Sequence, residues 1–230
     1  MAGVAPMPEA AIDNDVLIKA AAYGLLTATS EAFGGSVGIL GVARFVVTKR
    51  LERDQRIADA AQATANWLGF LDGAEELEPS ADELDLATVI EEAAAARGLP
   101  LDVGESQLCA IVIARQVRRL VSGDKRAVKA AEQLLASVAA LAAMSGAWVC
   151  LEQLVAALAD RLDAEGIRAS ICAEPDMDRA LKICMSCGSN GPWSGEGLES
   201  YVNDLREHAP TLLAVPPVFA TISSADRSSS

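Results

Sequence analysis

Apolar positions along the chain alternate between short unbroken runs and longer stretches with helical spacing. In AAIDNDVLIKAAAYGLL a brief apolar run ends at Asp13, Asn14 and Asp15, and Val16, Leu17, Ala20 and Leu25 then form a core-facing stripe. This predicts a short strand followed by a helix. Gly34 and Gly35 break the chain, and SVGILGVARFVVTKRLERDQRIADAAQATANWL is expected to be helical, as one helix or two. The β-branched FVV suits a helix least. An acidic linker ends at Pro79. Ser80 and Glu83 then form a capping-box pattern at the start of ADELDLATVIEEAAAARG. A helix opening near Glu105 follows, then LVS as a strand, GDKRAVKAAEQLLASVAALAA as a helix, AWVCL as a strand and EQLVAALADRLDAEG as a helix. Strands separated by helices predict a parallel sheet covered on both faces, a three-layer α/β/α arrangement.

From about residue 166 the pattern changes to two shorter helices, in PDMDRALKICMSC and GLESYVNDLREHAP, joined by a turn rich in Gly, Ser and Asn. The expected organisation is a core over residues 1–165, a helical C-terminal extension over 166–215 and an unstructured tail over 216–230. The opening residues are also expected to be unstructured. The uncharged stretch LLASVAALAAMSGAWVCL, residues 134–151, is short for a bilayer and rich in Ala. It reads as a buried helix, a turn at Ser145-Gly146 and a buried strand, with no membrane role.

Composition sharpens this picture. Apolar residues make up 51% and aromatics only 4%, which favours Ala- and Leu-rich helices on a sheet over a β-sandwich. A net charge of −13 argues against non-specific nucleic-acid binding by the molecule as a whole. The basic residues are nevertheless clustered, with Arg44, Lys49, Arg50, Arg53 and Arg56 in one window and Arg115, Arg118, Arg119, Lys125, Arg126 and Lys129 in another. Five cysteines and no basic-then-apolar leader suggest a reducing cytoplasm. Cys184 and Cys187 form one close pair without a second, so buried free thiols are expected in place of zinc or redox chemistry. The single histidine, His208, argues against His-based triads, and the glycine pairs lack a phosphate-loop pattern.

Candidate chemistry lies in carboxylates at the carboxyl ends of predicted strands, where ligands of open parallel sheets collect. Asp13 follows the first strand, Glu105 opens the helix after LPLDVG, and Asp124 follows LVSG. Each alone is explained as a helix cap. Together the segments AIDNDVLI, LDVGESQLCAIVIA and LVSGDKRAVKA resemble three successive blocks of the PIN-domain nuclease family over roughly the first 150 residues. The chain departs from that family in carrying Asp-Asn-Asp at the first block, which makes Asp15 a further candidate ligand, and in its C-terminal extension.

The resemblance implies a PIN-like fold and a metal-dependent nuclease, RNA being the preferred substrate. Asp13, Glu52, Glu105 and Asp124 would be the catalytic carboxylates, with Asp13, Asp15, Glu105 and Asp124 binding Mg²⁺ or Mn²⁺. Ser122 would hydrogen-bond to Asp124 or a metal water. Lys49, Arg50, Arg119, Lys125, Arg126 and Lys129 would hold the nucleic-acid backbone. A homodimer and an inhibitory partner protein, as in toxin–antitoxin pairs, also fit the resemblance. The competing expectation is a catalytically inactive member of the same fold that serves as a protein-interaction module.

Overall fold

The computed structural model describes residues 7–189, 191 and 193–219, so the expectations for the opening residues and the Ser-rich end fall largely outside the described residues. β1 (Ala10–Ile12) runs into α1 (Asn14–Ala22), and α2 (Leu26–Ala32) precedes β2 (Val37–Leu40). Next come α3 (Ala43–Leu51), α4 (Ala60–Leu71), β3 (Glu75–Leu77), α5 (Ala81–Ala96) and α6 (Val103–Arg115). β4 (Arg119–Ser122), α7 (Lys125–Leu134), a 3-10 turn (Ala139–Met144), β5 (Trp148–Cys150) and α8 (Leu151–Arg161) complete the sheet region. The chain continues as α9 (Ala164–Ala173), α10 (Arg179–Cys184) and α11 (Glu196–His208).

The five strands are all parallel, in the order β3-β2-β1-β4-β5. The chain winds outward from β1 to β3, crosses back and winds outward again from β4 to β5. Strand order therefore reverses between β1 and β4, where Ala11 pairs with Leu120 and Ile12 with Val121. Alternate strand residues point to opposite faces. Ala10, Ile12, Val121 and Val149 join a core with α1 to α4 and α8 to α10, while Ala11, Leu120 and Trp148 join a second core with α5, α6, α7 and α11. Both faces are covered, which makes an α/β fold with three layers.

Two strands were not expected. β2 lies inside the segment read as helical. All four of its residues are buried, so the run carries no polar alternation to mark it as a strand. A Cβ at Gly38 would lie 2.6 Å from the Leu77 side chain, so the glycine admits β3 alongside. β3 falls in the acidic linker; it is an edge strand with only Leu77 buried, and charge is a usual feature of such edges. α7 also stops earlier than expected, because the Ser137 amide and hydroxyl both donate to the Leu134 carbonyl, at 2.9 and 3.1 Å.

The 166–215 segment shares both cores: Ile167, Ile171, Met177 and Leu181 pack in one, and Val202, Leu205, Leu212 and Leu213 in the other. Leu213 forms a parallel bridge with Trp148, the Trp148 amide donates to the Leu212 carbonyl at 2.9 Å, and the Ala214 amide donates to the Trp148 carbonyl at 2.7 Å. Glu132 of α7 accepts the Thr211 and Leu212 amides at 2.9–3.2 Å and fixes this strap. Val218 and Phe219, placed in the tail by sequence, are buried, and Phe219 packs edge-on to Phe33. The thiol expectation is also corrected. Cys172 and Cys187 form a disulfide between the end of α9 and the residues after α10, leaving Cys184 free and buried. Among the described residues no helix is long and apolar enough to cross a membrane.

Candidate functional site

The site forms where strand order reverses. Asp13 leaves β1, donates its amide to the Val121 carbonyl at 2.9 Å, and caps α1 by accepting the Asp15 amide. Asp124 leaves β4 two residues after Ser122 and caps α7. α6 approaches from the second layer with a capping box in which Asp102 accepts the Glu105 amide at 2.8 Å and Glu105 accepts the Asp102 amide at 3.0 Å. Asp13, Asp15, Asp102, Glu105 and Asp124 thereby line one depression of about 470 Å³, which shares Asp13, Asp15 and Asp102 with an adjoining cleft of about 580 Å³. Gly123 leaves room here, since a Cβ would lie 2.3 Å from the Asp15 carboxylate and displace it.

Electrostatics separate the carboxylates. Burial pushes Asp13 up to about 6, with Asp15 adding to the rise against opposing backbone hydrogen bonds. Burial likewise pushes Glu105 up to about 8, reinforced by Asp102, Asp124 and Asp13. Burial acts the same way on Asp124, but there the Arg126 guanidinium and amide win and hold it below the usual range. Arg126 grips Asp124 through Nη2 at 2.7 Å and Nε at 3.2 Å. The Ser122 hydroxyl accepts the Asp124 amide at 3.3 Å, so its contact is with the backbone.

Cations surround the pocket unevenly. Lys19 bridges Asp15 at 2.7 Å and Asp178 of the C-terminal segment at 2.8 Å. Burial would lower its pKa; the two carboxylates outweigh it and raise the value. Lys125 is 2.7 Å from the fully buried Glu152 and lies over the Tyr201 ring, so its charge is largely spent inside the fold. Asp54 holds Arg50 and Arg56 at 3.0 and 2.6 Å, and both arginines line the larger cleft.

Several expected residues lie elsewhere. Glu52 is the exposed C-cap of α3 and lines neither depression. Arg119 begins β4, at the opposite end of the sheet from Asp124, and donates to the Val218, Arg118 and Gly146 carbonyls. Lys129 faces Asp204 of α11 at 3.8 Å. Lys49 is exposed on α3 and lines neither depression, whereas Arg50, exposed on the same helix, lines the larger cleft. Sequence reasoning missed Asp102, although its Asp-x-x-Glu spacing to Glu105 repeats the capping pattern recognised at Ser80 and Glu83. It also missed Lys19 and Asp178, whose meeting depends on a tertiary contact that no local pattern encodes.

All five carboxylates offer hard oxygen donors, and burial with neighbouring carboxylates disfavours the ionised forms of Asp13 and Glu105. Both features fit a divalent cation such as Mg²⁺ or Mn²⁺. Among the described residues no three His, Cys, Asp or Glu side chains stand ready to hold one. Asp124 is turned to Arg126 and Glu105 to the Asp102 amide, so binding requires those side chains to turn toward the ion. No protein-family model, curated protein or solved structure matches the chain at a significant level.

Proposed function

We propose that the protein is a PIN-like, divalent-metal-dependent nuclease acting on phosphodiester bonds, with RNA the preferred substrate that the resemblance implies. One observation carries the reading: the two strands flanking the reversal of strand order, β1 and β4, deliver Asp13 and Asp124 to one acidic depression. Such a crevice is where open α/β sheets bind ligands. In this reading Asp13, Asp15, Glu105 and Asp124 hold the ion, Asp102 supports them through the cap, and Glu52 takes no part. A bound Mg²⁺ or Mn²⁺ supplies charge for the phosphoryl oxygens and a water of lowered pKa. The chain's own residues keep Asp13 and Glu105 poised to release protons as a cation enters, and present Arg50 and Arg56 to the phosphate backbone.

A non-catalytic interaction module of the same fold is the second reading, favoured by the grip of Arg126 on Asp124. Cleavage of labelled single- and double-stranded RNA and DNA with Mn²⁺, Mg²⁺ or EDTA decides between them. Metal-dependent cutting lost in Asp13→Asn and Asp124→Asn is the expected result. No cutting by the wild type, together with no stabilisation by Mn²⁺, would favour the interaction module and make a search for bound partners the next step.

A further inference from the structure

The solvent face of α3 carries Phe45, Val46, Lys49 and Arg50 at helical spacing, with Val42 at its N-cap and Arg53 in the turn that follows its C-cap. Positions separated by three and four residues share one side of a helix. The stripe is apolar in its first half and cationic in its second, while Ala43, Val47 and Leu51 on the other side enter the core. Phe45 is 74% exposed, Val42 57% and Val46 46%. Val42 and Arg50 also line the larger cleft, where they face Asp13, Asp15 and Asp102. Exposed Val103, at the start of α6, lines the same cleft.

We infer that this stripe is a docking surface for an unpaired stretch of nucleic acid, with Phe45 stacking on a base and Lys49, Arg50 and Arg53 following the backbone. The inference rests on the nuclease reading and adds the surface that presents the strand to the acidic depression. Its charge selects the partner. In a chain of net charge −13, an exposed aromatic in line with Lys49, Arg53 and the Asp54-paired Arg50 suits a ligand that alternates flat apolar rings with anionic groups. A two-fold contact with a second copy through the whole stripe would instead set its cations against their own counterparts if the helices run parallel, or against Val42, Phe45 and Val46 if they run antiparallel. A duplex keeps its bases stacked on each other and leaves none free for Phe45.

Binding measured in an Asp13→Asn background, with Mg²⁺ present so that nothing is cut, tests the surface directly. Short fluorescent single-stranded RNA, single-stranded DNA and duplex probes are compared by anisotropy. Phe45→Ala should weaken single-strand binding by about tenfold or more, the usual worth of one stacked base, and leave duplex binding little changed. Phe45→Trp should retain affinity and have its fluorescence quenched by single strands. Because Phe45 is exposed, neither variant threatens the core. Unchanged affinity in Phe45→Ala, no single-strand binding at all, or a dimer that becomes a monomer on this substitution would overturn the assignment. If the wild type cuts RNA while Phe45→Ala binds normally, only the stripe fails. If the wild type cuts nothing but binds single strands through Phe45, only the nuclease reading fails.

Discussion

Replacing Glu105 with Gln removes a buried ionisable group and keeps the cap, because Gln at the third position of a capping box can accept the same Asp102 amide. The side chain is 6% exposed, and its carboxyl is pushed up from 4.5 to about 8. Below pH 4.5 it is protonated both folded and unfolded. As pH rises from 4.5 to 8 the unfolded chain releases the proton and the folded chain retains it, so stability falls across that window. At about 1.4 kcal/mol per unit the full shift sets an upper bound of about 5 kcal/mol. The residue lines an open depression, and solvent screening reduces this to about 1–2 kcal/mol. Asp13, raised from 3.8 to about 6, adds to the acidic part of the same slope. Urea unfolding in EDTA at pH 5 and pH 8.5 checks this. Glu105→Gln should be more stable than wild type at pH 8.5 by roughly that screened amount, with a flatter pH profile. Mn²⁺ should then stabilise the wild type more than the variant. A wild type and variant with the same slope would refute the burial of an ionisable Glu105 on which the site is argued.

Two other expectations test how the site is held. Gly123→Ala places a methyl group against the Asp15 carboxylate and should disturb the Asp15–Lys19 pair. Cleavage should drop at least about tenfold with unfolding changed by less than about 1 kcal/mol, measured by initial rates and urea titration. Glu174 is buried and accepts the Ala58 and Asp59 amides at 2.6 and 2.9 Å, tying the C-terminal segment to the start of α4. Glu174→Ala leaves those donors without their acceptor and should cost about 1–3 kcal/mol in thermal or urea unfolding.

The placement of Asp13 and Asp124 at the ends of strands was legible because each stands where an apolar run gives way to a helix. The capping box at Ser80 and Glu83 was legible for the same local reason, and both of its hydrogen bonds are present. β2 was hidden because a strand buried on both faces lacks the polar alternation that distinguishes it from a helix, and its FVV neighbour proved helical. Glu52 fits the resemblance through its place between the first two blocks, and helix α3 turns it to solvent as a C-cap. Arg119 shows the limit of counting charges, since a parallel strand sends its two ends to opposite sides of the molecule. The pairing of Lys19 with Asp178 joins residues far apart in sequence, and only the packed fold brings them within 2.8 Å.

The strap at Leu212, Leu213 and Ala214 has a further consequence for how the molecule avoids itself. A parallel sheet has two open borders, and each is a template for another chain. Along β3 the border carries Glu75, whose charge repels an incoming copy of the same strand, and Glu76, which pairs with Arg44. β5 is fully buried and apolar, with Trp148, Val149 and Cys150 in its three positions, and has no such charge. There the chain covers the border with its own backbone, and Glu132 holds the cover in place. One margin of the sheet is thus guarded by repulsion and the other by occupation. Loosening the strap would turn a hidden strand into an adhesive one, so the first sign of a weakened C-terminal segment should be self-association before any loss of the acidic depression.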